Sequence, residues 1–258
     1  MKQCKDLTVC AAECPADGYV LLRLTADEPL PSIRAGQFVE VRVDDSPHTF
    51  LRRPISVNYV CREQNQLWLL VRVVGEGTRR LSALKAGDKL NLLFPLGNGF
   101  TPGHQGEQVL LVGGGVGIAP LLEYGRQLRQ DGAVPTFLLG GRSKKDLLQL
   151  ELFEKLGRVC VTTEDGSMGT RGFVADSPLL ADTLPADMRI ACCGPKPMMM
   201  AVARYARKHG VVCEVSLENM MACGLGACLC CVEHTVKGNV CVCTEGPVFN
   251  INQLTWQI

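Results

Sequence analysis

The sequence has almost no net charge: 27 lysines and arginines stand against 26 aspartates and glutamates over 258 residues, a formal balance of +1. That balance removes the electrostatic footprint of a nucleic-acid binder or of a protein drawn to an anionic membrane. No apolar run reaches the ~18–20 residues that a membrane span needs. The opening stretch MKQCKDLTVC has no secretory hydrophobic region, so a cytoplasmic protein is expected. Internal repeats and low-complexity stretches are missing as well. The only histidines, His48, His104, His209 and His234, have no mutual spacing that would make a metal site. With 47% hydrophobic and 21% charged residues, the chain reads as globular, with room for two ordinary domains and a small module.

Cysteine is what the sequence has in excess. Fourteen cysteines in a long chain without a signal peptide point to metal or redox use rather than to disulfides. Six of them fall between Cys223 and Cys243, whereas the other eight are scattered and read as small buried hydrophobes. The clustering, not the count, is the signal.

Three blocks follow one another. From about Lys5 to Gly99, segments such as YVLLRLTA, GQFVEVRV, RPISVNYV, LWLLVRVV and DKLNLLFP predict an antiparallel barrel of short strands, interrupted by one short helix in TRRLSALKAG. From about Gln108 to Val212 the pattern alternates. QVLLVGG, VPTFLLGG, RVCVTTED and MRIACCG read as strands, and PLLEYGRQLRQDG, KKDLLQLELFEKLG and PMMMAVARYARKHG as helices, which predicts a doubly wound parallel sheet. The glycine-rich GNGFTPGHQGEQ between them is the expected boundary. The tail has little periodicity and holds the cysteines. The expected domains are 1–101, 102–212 and 213–258.

Within the tail, Cys223, Cys228 and Cys231 have the C-x4-C-x2-C spacing of plant-type [2Fe–2S] ferredoxins, whose fourth thiolate lies downstream. Gly224 and Gly226 would let the loop turn tightly round a cluster. Cys230 is a poor ligand, because adjacent loop residues project in different directions. The spacing leaves both Cys241 and Cys243 open as the fourth. Structural zinc is the competing reading, but its usual hooks are paired C-x2-C.

A one-electron centre needs a partner group. In RRPIS, Arg53 offers a fork for a diphosphate, Pro54 a rigid strand edge and Ser56 a hydroxyl for a flavin ring. In GEGTRRLS, Gly77 and Thr78 open the short helix, where free N–H groups favour phosphate. Together they point to FAD. In LLVGGGVGIAP, Gly113, Gly114, Gly115 and Gly117 follow a strand and would admit a dinucleotide, although Pro120 replaces the third glycine of the strict fingerprint. CCGPKPM, with Cys193, Gly194 and Pro195, repeats this logic after a later strand. Cys193 reads equally as a nicotinamide contact or as a buried structural thiol. Glu164 and Asp165 would disfavour a 2′-phosphate, and Arg142 and Ser143 would welcome one.

The ordered set RRPIS, GEGT, VGGGVGIAP, CCGPKPM and MACGLGACLCC…CTEGPVF resembles the ferredoxin–NADP reductase superfamily. More narrowly, it resembles the electron transfer subunits of NAD-dependent type B dihydroorotate dehydrogenase. That resemblance covers nearly the whole chain. It implies FAD on the barrel, held by Arg53, Pro54, Ile55 and Ser56, by Leu70, Val71 and Arg72, and by Gly77 and Thr78. It implies NAD, not NADP, at the second domain. It implies a [2Fe–2S] cluster on Cys223, Cys228, Cys231 and Cys243, the last because the family's fourth cysteine precedes x-x-Gly-Pro-Val-Phe. The expected partner is an FMN-containing catalytic subunit, two of each forming a heterotetramer in pyrimidine biosynthesis, with no catalytic acid or base on this chain. Rival expectations are a related reductase subunit with another partner, of the NADP-linked ferredoxin oxidoreductase or sulfhydrogenase kind, and a non-catalytic zinc scaffold.

Overall fold

Alternation of apolar residues in the first block builds one antiparallel sheet. The computed structural model describes residues 1–181, 184–185 and 187–257. Its first seven strands are β1 (Gln3–Glu13), β2 (Tyr19–Thr25), β3 (Phe38–Val41), β4 (Arg53–Ser56), β5 (Tyr59–Cys61), β6 (Gln66–Arg72) and β7 (Lys89–Leu96). They run β4-β3-β7-β1-β2-β6-β5, and the sheet curls so that β4 approaches β6. Alternate residues close one core: Leu22 and Leu24, Val39 and Val41, Leu67 and Leu69, Leu90 and Leu92. Tyr19, Leu21 and Leu70, on the opposite faces of β2 and β6, pack into a second core with the following block. Burial on both faces is why these two strands read as unbroken apolar runs.

Two details differ from the sequence expectation. RPISVNYV is not one strand but two, β4 and β5, on opposite edges of the sheet. β1 is an eleven-residue strand that no apolar run announces, since QCKDLTVCAAE buries only Leu7 and Val9 fully. The short helix α1 (Glu76–Ser82) stands between β6 and β7 as expected.

The second sheet contains β8 (Gln108–Gly114), β9 (Val134–Gly141), β10 (Arg158–Thr163), β11 (Thr170–Arg171), β12 (Arg189–Cys193) and β13 (Cys213–Ser216), with helices α2 (Ala119–Gln130), α3 (Leu150–Glu154) and α4 (Lys196–His209). After β8 the chain winds outward one way through β9, β10 and β11, then returns to the other side for β12 and β13. The switch point therefore lies between β8 and β12, whose carboxyl ends form the crevice where such sheets bind ligands. Helices α2 and α4 are followed by Gly132 and Gly210, both at positive φ, as helix stops require. The helix expected over KKDLLQLELFEKLG is mostly absent. Asp146 accepts the Ser143 N–H in a short 3-10 turn over Lys144–Asp146, and Gln149 takes a left-handed φ of 58°, so only Leu150–Glu154 is α-helical.

The tail supplies a hairpin of β14 (Val232–Thr235) and β15 (Gly238–Cys241), one helical turn α5 (Val242–Glu245), and β16 (Val248–Asn250). Its first strand, β13, pairs in parallel with β12, and β16 closes the sheet edge antiparallel to β13. The cysteine segment is thus a loop and hairpin held between two strands of the second sheet. Among the described residues, no helix is long and apolar enough to cross a membrane.

Candidate electron-transfer site

Where the barrel meets the second block, a cavity of about 430 Å³ is walled by Arg53, Pro54, Ile55 and Ser56 of β4 and by Leu70, Val71 and Arg72 of β6. Thr78 of α1 lines it too. The two arginines of RRPIS part company. Arg52 turns onto the barrel wall, donating to the Glu40 carbonyl and, at 2.6 Å, to Asn91 Oδ1, while Arg53 faces the cavity. Gly77 does not line the cavity. A Cβ there would stand 3.2 Å from Arg53 Nε, so this glycine leaves room for the guanidinium. The Thr78 hydroxyl accepts the N–H groups of Val74 and Gly75 and so caps its own helix. Sequence reading missed the other walls: Val116 and Ala119 beside the glycine turn, Leu217 to Met221 after β13, and Pro247. Glu218, whose carboxyl is pushed up by burial against the pull of Arg72, belongs to this set.

A second cavity, of about 540 Å³, opens at the carboxyl ends of β8, β9 and β10. Gly114, Gly115 and Pro195 line it, and Arg72 borders both cavities. Gly117 and Gly194 have a different job. A Cβ on Gly117 would stand 2.5 Å from the Cys193 carbonyl oxygen and from Gly194 Cα, so the two turns pack backbone on backbone. Cys193 is wholly buried and lines neither cavity, and burial pushes its thiol well up. Thr162 lines the larger cavity, and its buried hydroxyl has no hydrogen-bond partner. An orphaned polar atom in a mainly apolar cleft fits a ligand that would complete it. Arg142, Asp146 and Glu164 stand at its rim, with Arg142 paired to Asp146 at 3.2 Å and the Ser143 hydroxyl donating to the same carboxylate. Burial alone would raise the Asp146 carboxyl, but these bonds hold it below its ordinary value.

Five thiols gather around the glycine loop after Met221. Gly224 and Gly226 both take positive φ, of 66° and 82°. A Cβ on Gly224 would meet Glu40 and Leu96 at 2.8 Å, and one on Gly226 would meet Thr244 at 2.9 Å. The loop points its amides at sulfur: Leu225 N–H donates to Cys223 Sγ at 3.3 Å and Gly226 N–H to Cys243 Sγ at 3.1 Å. Cys243 N–H in turn points at Cys231 Sγ, at 3.4 Å. The Leu225 amide does most to bring the Cys223 thiol down to about 6, while burial pushes Cys243 up to about 12. Cys228 lies beside Cys223, and Cys231 lies beside both Cys243 and Cys241. Among the described residues, no three His, Cys, Asp or Glu side chains gather tightly enough to hold one metal ion. A two-iron cluster is wider than a single ion and takes its four thiolates in two pairs, so this donor set fits it. Cys241 directs its thiol at the Gly226 carbonyl at 3.8 Å, and Cys230 is exposed.

The cysteine loop and the 430 Å³ cavity share walls. Leu217 to Met221 lead straight into Cys223, and Pro247 follows Cys243 by four residues. PLGNGF closes the barrel against this segment: Asn98 Nδ2 donates to the carbonyls of Thr244 and Glu245, and its own N–H to Gly246 O at 2.6 Å.

Residues 218–255 match the family described as the iron–sulfur cluster binding domain of dihydroorotate dehydrogenase B, and residues 111–204 match the oxidoreductase NAD-binding domain. The dihydroorotate dehydrogenase B (NAD(+)) electron transfer subunit of Shouchella clausii is 40% identical, with 98% of each chain covered. The chain belongs to the family of dihydroorotate dehydrogenase B electron transfer subunits. The Caldanaerobacter subterraneus member of these electron transfer subunits is 42% identical over 83% of this chain and 84% of its own. A solved NADH-dependent reduced ferredoxin-NADP oxidoreductase superposes with a TM-score of 0.87 at 31% identity, covering 97% of this chain and 90% of that one. Phthalate dioxygenase reductase shares the fold, with a TM-score of 0.65 at 21% identity over 79% of this chain and 64% of that one. The near-full-length relatives favour the dihydroorotate branch of the family over the ferredoxin-linked one.

Proposed function

We propose that this chain carries electrons between an FMN-containing dihydroorotate dehydrogenase subunit and NAD⁺, in a two-plus-two heterotetramer serving pyrimidine synthesis in the cytoplasm. The observation that carries this reading is the shared wall: the segments flanking the cysteine loop also close the flavin cavity, and Arg72 joins that cavity to the dinucleotide cleft. When bound, FAD supplies the one chemistry that converts single electrons from a cluster into a hydride for nicotinamide. The fourteen free thiols suit a reducing compartment.

The division of labour we assign is FAD on 1–101, NAD on 102–212 and the cluster on 213–258, with β13 and β16 lent to the middle sheet. Cys223, Cys228, Cys231 and Cys243 ligate the cluster, and the amides of Leu225 and Gly226 stabilise its charged sulfurs. Arg53 neutralises the flavin diphosphate, Gly77 leaves space for that guanidinium, and Thr78 fixes the α1 turn beside it. Pro54, Ile55, Leu70 and Val71 wall the ring site, which Ser56 can hydrogen-bond. Gly114, Gly115 and Pro195 line the dinucleotide cleft, while Gly117 and Gly194 bring the two turns together under it and Cys193 packs beneath. NAD is the dinucleotide we assign, because Asp146 occupies both Arg142 and Ser143, the groups that would otherwise greet a 2′-phosphate.

The deciding experiment mixes the purified chain with its FMN subunit, dihydroorotate and NAD⁺. Orotate and NADH forming together, in equal amounts, is expected. A chain that is bleached by NADH but never supports NAD-linked orotate formation would overturn the assignment.

A further inference from the structure

Helix α2 follows the glycine turn directly. Three of its positions, Ala119, Glu123 and Gln127, are spaced four apart and so lie along one face. That face is turned to the barrel, and each position makes hydrogen bonds across the domain boundary. The Asn58 side chain donates to the Ala119 carbonyl at 3.1 Å. Val60 N–H donates to Glu123 Oε2 at 3.0 Å. Gln127 accepts from Ala35 N–H at 3.0 Å and donates to the Ile33 carbonyl at 3.1 Å. Glu123 is fully buried yet saturated, since Arg126 and Gln127 also donate to it, at 2.9 and 2.8 Å. Asn58, also fully buried, completes the seam by exchanging two amide hydrogen bonds with Gln149, each 3.0 Å long. Gln149 holds a left-handed φ of 58° to reach it, a conformation that a bulky side chain adopts only when its surroundings demand it.

Ala119 stands at the junction of the two functions. It accepts the Asn58 amide at the boundary and, with Val116, forms part of the flavin cavity wall. The glycine turn Gly114–Ile118, which lines the dinucleotide cleft through Gly114 and Gly115, ends where the seam begins. We infer that Asn58, Gln149, Glu123 and Gln127 are positioning residues that set the distance between the nicotinamide and flavin rings. The inference rests on the assignment of the two cavities to NAD and FAD. Hydride transfer is the step it governs: NADH gives two electrons and a proton as hydride to the flavin and leaves as NAD⁺, or the reverse in turnover. None of these side chains needs to touch either cofactor. They hold one backbone turn against one strand, and a misplacement of about 1 Å can cost on the order of a hundredfold in rate.

The test uses the chain loaded with FAD and iron, mixed rapidly with NADH, following flavin bleaching over a range of NADH concentrations. Gln149→Asn shortens the amide pair by one methylene while keeping a residue that tolerates positive φ. Glu123→Gln turns into a donor one of two acceptor oxygens that both receive hydrogen bonds, from Val60, Arg126 and Gln127. Each is expected to slow bleaching at saturating NADH by at least tenfold. The half-saturating NADH concentration should stay within threefold, FAD and iron per chain should be normal, and the long-wavelength charge-transfer band of the flavin–nicotinamide complex should be weaker. The double exchange Asn58→Gln with Gln149→Asn, which restores the summed length, is expected to recover most of the rate. If Glu123→Gln fails to retain FAD, Gln127→Leu at the far end of the seam serves the same comparison. Wild-type rates in variants with full FAD and iron would overturn the inference, as would a deficit that excess NADH abolishes. If the unaltered chain is not bleached by NADH at all, it is the cavity assignment that fails.

Discussion

Cys241 and Cys243 lie two residues apart, and spacing alone offers either as the fourth thiolate. The fold separates them by backbone conformation, because Cys241 ends strand β15 while Cys243 sits in the first turn of α5. Cys243 is buried and receives the Gly226 N–H, whereas the Cys241 thiol points at a carbonyl, which no thiolate would choose. Cys243→Ala is therefore expected to lose most of the iron, sulfide and visible cluster absorbance while keeping FAD, and Cys241→Ala to keep all of them. Iron and sulfide analysis with electron paramagnetic resonance of the reduced protein reads both outcomes. At the dinucleotide rim, Asp146→Ser frees Arg142 and removes a negative charge. The ratio of NADPH to NADH efficiency in flavin bleaching should rise about tenfold, equivalent to roughly 1.4 kcal/mol.

At the scale of elements, the two glycine turns after β8 and β12 work as a unit. Gly117 sits where any Cβ would run into the Cys193 carbonyl and Gly194, both backbone, which cannot swing aside. Gly117→Ala must part the turns, at about 1–3 kcal/mol of overpacking cost. The expected result is NADH-dependent bleaching slowed at least tenfold, with cluster content intact. The same scale shows where local pattern failed. The apolar spacing of KKDLLQLELFEKLG fits a helix, yet Gln149 leaves the helical region to meet Asn58 across the boundary, and a long-range bond overrides a local preference. β1 went unmarked because it lies between β2 and β7 with only two residues fully buried, so it carries no apolar run. By contrast, β8 was legible to the residue, because a central parallel strand buried on both faces is apolar throughout.

Across the whole molecule, two surfaces carry predictions. Leu225 and Leu229 are exposed on the cysteine loop beside the exposed Cys228, and this is the face on which the FMN subunit is expected to dock. Leu225→Glu with Leu229→Glu should weaken association with the FMN subunit at least tenfold by sedimentation or titration calorimetry, and leave NADH-dependent bleaching of the free chain unchanged. At the opposite end, Arg189 of β12 binds Glu107 at 2.9 Å and Glu214 at 3.3 Å, tying the linker after the barrel to the second sheet. Burial alone would raise the Glu107 carboxyl, but its hydrogen bonds to Arg189 hold it below its ordinary value. A carboxyl lowered by folding adds stability that is present above the ordinary carboxylate range and lost as pH falls through the folded pKa. Glu107→Gln is accordingly expected to lower unfolding free energy by about 2 kcal/mol at neutral pH and to flatten the decline toward acid, read from urea titrations across pH. What the sequence determined by itself was the local chemistry: cysteine spacing, glycine turns after strands, an arginine fork and the order of three blocks, because each depends on residues a few positions apart. Only the tertiary structure decided which walls those motifs share. Ala119 meets Glu218 to Met221 and Pro247 at one cavity although about a hundred residues or more of chain separate it from them, and contacts at that separation leave no periodic trace in the chain.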